Sequence, residues 1–117
     1  MFRFQKLEIY QLSKELVKYI YKLTRNFPNE EKFALTQQIN RAVVSVPSNI
    51  AEGTSRNSSK EKIYFINIAY GSLMEVVCQM EISLDLGYIK QVDYDEFLKQ
   101  TKTLTVKMSN FIKTING

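Results

Sequence analysis

The strongest constraint on the fold is a spacing: apolar residues recur every three or four positions through four segments of the chain. Such spacing places the apolar side chains on one face of an α-helix. No strand-length stretch of alternating apolar and polar residues competes with it. The sequence therefore predicts an all-α protein whose four helices bury these faces together, with coiled-coil-like packing where the spacing repeats every seven residues.

A proline separates the first two predicted helices. Helix 1 is predicted from about Phe4 to Arg25, because Pro28 pushes the residue before it out of helical geometry. Helix 2 is predicted to begin near Asn29, which can act as its N-cap, and to end near Thr54. Their apolar stripes are Ile9, Leu12, Leu16, Ile20, Leu23 and Phe27, and then Leu35, Ile39, Val43, Val46 and Ile50.

Capping signals predict where the last two helices begin. Ser58 and Glu61 have the spacing of a capping box at the start of helix 3, and Gly87 suits the position after its end. Asp93, followed by Glu96, predicts the start of helix 4, which continues to the C-terminus. Their apolar stripes are Ile63, Ile66, Tyr70, Leu73, Val77, Met80 and Leu84, and then Phe97, Thr101, Leu104, Met108, Phe111 and Ile115. Short connections favour a single domain, residues 1–117, folded as an up-down-up-down antiparallel four-helix bundle.

Helix 2 has a proline in its interior, within the stretch SVPSNIAEG, residues 45–53. Pro47 has no N–H and crowds the carbonyl of Val43, which costs ~3 kcal/mol or more inside a helix. A helix that ends here and restarts at Asn49 is the alternative, but the restart would last barely one turn. Because the apolar spacing continues across the proline, we predict one helix, kinked at Pro47. The side chains able to bond the freed carbonyls are Ser45, Ser48 and Asn49.

Two further helical faces each permit two interpretations. Helix 2 carries one polar stripe, formed by Gln38, Arg41, Ser45, Ser48, Glu52 and Arg56. This stripe is either a solvated face with an ordinary Glu52–Arg56 pair, or a surface that binds a ligand or another subunit. The spacing alone favours the solvated face. Helix 3 has apolar residues beyond its main stripe, and these indicate either a wide core face or a second contact surface in a homo-oligomer. They are Phe65, Ile68, Ala69, Met74, Val76 and Ile82.

The composition argues against an enzyme or a metalloprotein. The chain has no histidine and a single cysteine, Cys78, so the commonest general base is missing and a zinc site is implausible. We predict no catalytic residues, no metal and no cofactor, and we expect Cys78 to be a buried, inert thiol. The lone cysteine and the missing signal-peptide pattern favour the cytoplasm. The apolar runs are too short to predict a membrane span.

Positive charge is concentrated in the first half of the chain. The net charge is +4, and residues 1–57 hold nine Lys or Arg against five Asp or Glu. On helix 1, Lys14, Lys18, Lys22 and Arg25 form one stripe, which could bind a phosphate backbone or could be an ordinary solvated face. Tyr19 and Tyr21 flank this stripe and could stack on bases, although packing roles are favoured. Arg56, Lys60 and Lys62 surround the loop before helix 3, where a phosphate site or a capped, solvated loop is possible.

The chain resembles a known family over nearly its whole length, most strongly from Leu35 to Val76. It contains LTQQINRAVVSVPSNIAEGTSRNSSKEKIYFINIAYGSLMEV, which is similar to four-helix-bundle proteins encoded in intervening sequences of bacterial 23S rRNA genes and sometimes labelled ribosomal proteins. The family signature falls on Ser45, Pro47, Ser48, Asn49, Ala51, Glu52 and Gly53. Asn40 departs from the family, which often has a second arginine there, and Tyr10 replaces a frequent tryptophan.

The resemblance implies a bundle that assembles into a ring-like homopentamer. The chain is also similar to accessory proteins of diversity-generating retroelements, which are basic pentamers that bind a reverse transcriptase and nucleic acid. The leading hypothesis is therefore a non-catalytic homo-oligomer that binds RNA or DNA. Its candidate contact residues are Lys14, Lys18, Lys22, Arg25, Arg41, Arg56, Lys60 and Lys62. The alternative is an oligomeric scaffold for a protein partner, with no direct role on nucleic acid.

Overall fold

Four helices account for most of the chain in the computed structural model, which describes residues 1–116. They are α1 (Glu8–Thr24), α2 (Leu35–Thr54), α3 (Ser59–Asp85) and α4 (Gln91–Asn116). Helices α1 and α3 each pack against both α2 and α4, which closes a bundle measuring 44 × 25 × 24 Å. The described residues contain no strand, so the predicted all-α four-helix bundle is confirmed. The predicted continuation of helix 4 to Gly117 lies outside the described residues.

Contacts between neighbouring helices show their relative directions. The Tyr19 hydroxyl in α1 donates to the Asp93 carbonyl near the start of α4, whereas Glu8 at the start of α1 pairs with Lys107 far along α4. These two helices therefore run in opposite directions. Helices α2 and α3 also run in opposite directions, because Ser45 contacts Ser72 and Gly53, further along α2, lies beside Lys62, which is earlier in α3.

The core follows the predicted stripes in α1, α2 and α4 but not in α3. In α3 the fully buried apolar residues are Ile66, Ala69, Leu73, Val76 and Met80. Tyr70 is exposed, so that member of the predicted stripe is wrong, whereas Val77 is half-buried against the core. Ala69 and Val76, which were predicted to lie off the stripe, are buried. The physical reason is that α3 carries apolar side chains around most of its circumference, so spacing alone does not identify the face that packs inward.

The predicted starts of the first two helices are wrong. Leu7 has an extended backbone (φ −73°, ψ 133°), which separates a short 3₁₀ turn at Arg3–Lys6 from α1. Residues Asn29–Glu31 form another 3₁₀ turn, and α2 begins only at Leu35. The Glu31 carboxylate accepts the Leu35 N–H (3.4 Å) and the Tyr88 hydroxyl (2.8 Å), so this turn is fixed by a residue from the loop between α3 and α4.

The capping predictions hold for α3 and need correction for α4. The Ser58 hydroxyl accepts the Glu61 N–H at 3.1 Å, as expected at a helix start. At the other end Gly87 has φ +78°, and the Tyr88 N–H donates to the Ser83 carbonyl at 2.9 Å, which forms a Schellman motif. Helix α4 begins two residues before Asp93, and the Asp93 carboxylate caps it by accepting the Lys90 N–H at 3.2 Å.

Pro47 does not interrupt helix 2. Helix α2 is continuous from Leu35 to Thr54, so the prediction of one helix across the proline is confirmed, whereas the bend remains a prediction. The Asn49 amide donates to the Ser45 carbonyl (2.8 Å) and to the Ser45 hydroxyl (2.9 Å). This carbonyl lies two residues beyond the Val43 carbonyl that the proline leaves free.

Among the described residues, α3 is long and apolar enough to cross a membrane when judged by length and composition alone. The expectation drawn from the short apolar runs is therefore not met by this helix. One such helix is weak evidence, because core helices of bundles have the same composition, and 33% of its most apolar stretch is buried against the other helices.

Candidate nucleic-acid interface

An open groove lies between the exposed faces of α1 and α2. It consists of two neighbouring cavities, of about 620 and about 460 Å³, which share Val44 in their walls. We call the two together the α1–α2 groove. One end is lined by Arg25, Lys32 and Arg41, and the other by Lys14 and Lys18.

The lining of the α1–α2 groove contains five cationic side chains and no carboxylate. On the opposite flank of α1, a second depression faces α4 and contains Lys18, Lys22 and Lys99 together with Glu15 and Glu96. Lys18 pairs with Glu15 at 3.2 Å, although both side chains are well exposed. Lys18 therefore lines both sides and is partly balanced by Glu15, whereas Lys14 and Arg25 line only the α2 side, where no carboxylate is present.

Exposed aromatic rings accompany the cations at one end of the groove. Phe33 is 81% exposed and Tyr21 is 38% exposed, and both line the same cavity as Arg25 and Arg41. The Lys32 ammonium lies 5.4 Å from the centre of the Phe33 ring. Proteins that bind single-stranded nucleic acids use cationic side chains beside accessible aromatic rings.

A hydrogen bond beneath this end of the groove joins its two walls. The Thr24 hydroxyl in α1 lies 3.1 Å from the Asn40 side-chain oxygen in α2, and Thr24 is buried. Asn40 therefore connects α2 to α1 at this end of the groove.

The remaining predicted cations lie elsewhere. Arg56 pairs with Glu52 on α2, and its guanidinium lies 4.8 Å from the centre of the Phe65 ring. Lys60 is exposed, and Lys62 lines a separate cavity of about 310 Å³ with Arg3. The structure therefore brings Lys14, Lys18, Arg25 and Arg41 together and leaves Lys22, Arg56, Lys60 and Lys62 outside the groove.

The family signature divides between two faces of α2. Ser45, Asn49 and Gly53 face α3: Ser45 contacts the Ser72 hydroxyl at 2.8 Å, and a Cβ on Gly53 would lie 3.0 Å from the Phe65 Cβ. Pro47, Ser48 and Ala51 instead line the α1–α2 groove. Glu52 belongs to neither set, because it pairs with Arg56 on the exposed surface, as the solvated-face interpretation predicts for that pair.

The two tyrosines beside the helix 1 stripe have different environments. Tyr19 is half-buried against α4, where burial, followed by Asp93 and Glu96, raises the pKa of its phenol. Its packing role is confirmed, whereas Tyr21 is exposed in the groove. Sequence reasoning also missed Lys32 and Phe33, because they were placed inside helix 2 rather than in the irregular segment that leads to α2.

The outer face of α3 carries a second notable surface. Tyr70, Met74, Cys78 and Ile82 are exposed at four-residue intervals, and we call them the α3 ridge. The expectation that Cys78 is buried is wrong, since the inward face of α3 lies one residue away from the predicted stripe. Of the predicted spare apolar residues, Ala69 and Val76 belong to the core, whereas Met74 and Ile82 are exposed.

Within residues 1–116, no group of three His, Cys, Asp or Glu side chains is placed to hold a metal ion.

Fold and surface together define a small all-α bundle with a basic groove, and comparison with known proteins identifies its family. The family model of the 23S rRNA-intervening sequence protein matches residues 5–110, so the chain belongs to this family. A solved structure from Bacteroides thetaiotaomicron, described as a protein with unknown function from the S23 ribosomal protein family, is similar with a TM-score of 0.82 and 25% sequence identity. The similarity covers 90% of this chain and 98% of that one. No curated protein matches the chain.

Proposed function

We propose that this chain is a non-catalytic, homo-oligomeric bundle in the cytoplasm that binds RNA or DNA through its basic surface. The observation that carries the proposal is the α1–α2 groove, with five cations and no carboxylate in its lining. A phosphate backbone binds such a surface chiefly by releasing counterions, so its affinity depends strongly on salt. Since the chain has no histidine, this positive charge changes little between pH 5 and 8.

Assembly would multiply a modest charge. A few phosphate contacts per subunit give weak binding alone, but a closed ring presents the same surface several times to one nucleic acid. The family resemblance favours a homopentamer. The exposed, largely apolar α3 ridge is the surface best suited to join subunits.

The test is filter binding of a structured RNA at 50 and 200 mM salt. Three phosphate contacts predict a loss of affinity of roughly 20- to 40-fold over this range. Changing Lys14, Lys18 and Arg25, which all line the groove, together to Glu should abolish binding. The matched control changes Lys90, Lys102 and Lys113, which are exposed elsewhere, by the same total charge. Absent binding at low salt, or an equal loss in both triple variants, would contradict the proposal.

A second candidate is an oligomeric scaffold for a protein such as a reverse transcriptase. It would present the polar stripe from Arg41 to Arg56 on α2 or, if its subunits join elsewhere, the α3 ridge. The supporting observation is that this ridge is apolar yet exposed on the described chain. An affinity pull-down that recovers one stoichiometric protein and no nucleic acid would favour it. A monomer in light scattering would count against the oligomer in both versions.

A further inference from the structure

We propose that the α1–α2 groove selects single-stranded nucleic acid, with phosphates on the cations at its two ends and bases stacked on Phe33 and Tyr21. This inference rests on the proposed function and names the substrate class of the same site.

The aromatic residues distinguish a single strand from a duplex. The faces of paired bases are covered by their neighbours in a helix, whereas the bases of a single strand can leave the stack and lie against a side chain. Phe33 presents almost its whole ring to solvent, and Tyr21 lies in the same cavity. A duplex would use the cations and leave these rings without a partner.

The arrangement along the groove also suits an extended strand. The groove follows α2 from Thr36 to Ala51, a rise of roughly 22 Å at about 1.5 Å per residue. Arg25, Lys32 and Arg41 line one cavity, Lys14 and Lys18 line the other, and the apolar Val44 lies where the two cavities meet. Phosphates can therefore bind at the ends while bases or sugars contact the apolar middle.

The exposed rings of Phe33 and Tyr21 favour nucleic acid over an acidic peptide. Both ligands would satisfy the five cations, but only nucleic acid supplies flat aromatic groups that repeat along the same anionic chain. Stacking on an aromatic side chain is also tolerant of base identity. The groove therefore predicts little sequence preference.

The experiment measures fluorescence anisotropy with a labelled 12-nucleotide strand, as RNA and as DNA, alone and paired with its complement. Both single strands should bind more tightly than their duplexes. Phe33→Ala should weaken single-strand binding at least about 5-fold, change duplex binding less than about 2-fold and leave the salt dependence intact. Phe33→Tyr should keep most of the affinity, because it keeps the ring.

Two further variants keep the test decisive. Tyr64→Ala removes an aromatic ring that is 61% exposed on α3, outside the groove, and should change nothing. Tyr21→Ala repeats the test at the second groove ring if Phe33→Ala fails to fold, which far-UV circular dichroism would reveal.

Each unfavourable outcome has a distinct meaning. If single strands and duplexes bind with equal affinity, and neither Phe33→Ala nor Tyr21→Ala changes that affinity, this inference is overturned and the proposed function stands. No binding of either form at low salt overturns both. Displacement of the strand by a poly-glutamate peptide at equal charge concentration would also overturn the inference, because it would show that charge alone governs occupancy.

Discussion

Helix α2 packs closely against α3 on one side, the closed contact, and borders the α1–α2 groove on the other, its open side. Toward α3, Gly53 brings the two backbones so close that an added Cβ would lie 3.2 Å from the Lys62 carbonyl oxygen. Toward α1, residues of the same stretch border a groove instead of a packed contact. Small residues therefore permit close packing on one face and leave accessible space on the other.

This difference explains why SVPSNIAEG resists interpretation as a single site. Ser45, Asn49 and Gly53 are four residues apart, so they share the face toward α3. Pro47, Ser48 and Ala51 share the face toward the groove. One side of the signature holds the bundle together and the other shapes the surface where we propose that ligand binds.

The largest expected effect is at the closed contact. Gly53→Val should lower the free energy of unfolding by about 2 kcal/mol, because the new side chain meets the Phe65 Cβ and the Lys62 carbonyl rather than a flexible side-chain end. Urea denaturation followed by circular dichroism measures this. Gly71→Val is the matched control, since a Cβ there meets no atom within 4 Å. Equal stability of the two variants would show that the α2–α3 contact tolerates separation.

The polar part of the closed contact should matter less. Asn49→Ala removes two hydrogen bonds to Ser45, at 2.8 and 2.9 Å, and should cost about 1–2 kcal/mol of unfolding free energy. The same denaturation measurement applies, with Ser48→Ala as the exposed neighbour for comparison. A loss no greater than that of Ser48→Ala would contradict a structural role for the Asn49 amide.

On the open side we expect a substitution to change the affinity for nucleic acid without changing the stability of the fold. Ser48→Glu adds a carboxylate to the groove at an exposed position, so the free energy of unfolding should change by no more than about 0.5 kcal/mol. Affinity for a single strand should nevertheless fall several-fold at low salt, in the anisotropy assay. Unchanged affinity would indicate that this end of the groove is not occupied.

The smallest expected effect is at the 3₁₀ turn Asn29–Glu31, which leads into α2. The hydrogen bond to Glu31, followed by burial, raises the pKa of Tyr88 above the ordinary 10.0. A raised phenol pKa gives stability that is complete below pH 10 and is lost as pH rises through the folded-state value. Tyr88→Phe should therefore slightly lower the urea midpoint at pH 7. Above pH 10 the midpoint of the variant should fall less steeply with pH than that of the unsubstituted protein. Parallel declines in both proteins would contradict this contribution.

The sequence predicts the helices better than the contacts between them. Regular spacing identified the buried faces of α1, α2 and α4, because each has a distinct polar side. On α3 it placed the exposed Tyr70 in the stripe and the buried Ala69 and Val76 outside it, because apolar residues lie around most of this helix. The starts of α1 and α2 were wrong because they depend on a backbone turn at Leu7 and on a contact between Glu31 and Tyr88, 57 residues apart.

The candidate site shows the same division. The spacing of Lys14, Lys18, Lys22 and Arg25 indicated a cationic face, since that depends on one helix alone. The spacing could not reveal that Glu96 from α4 lines the depression that contains Lys22. Nor could it place Lys32 and Phe33, whose position depends on how an irregular segment crosses from α1 to α2.

The exposed thiol of Cys78 gives the α3 ridge a built-in reporter. As the only cysteine, it directs a maleimide dye or a spin label to one position without any substitution. That position is on α3, whereas the groove is formed by α1 and α2. A single preparation of the natural protein can therefore test the proposed assembly through its label while the groove is titrated with nucleic acid.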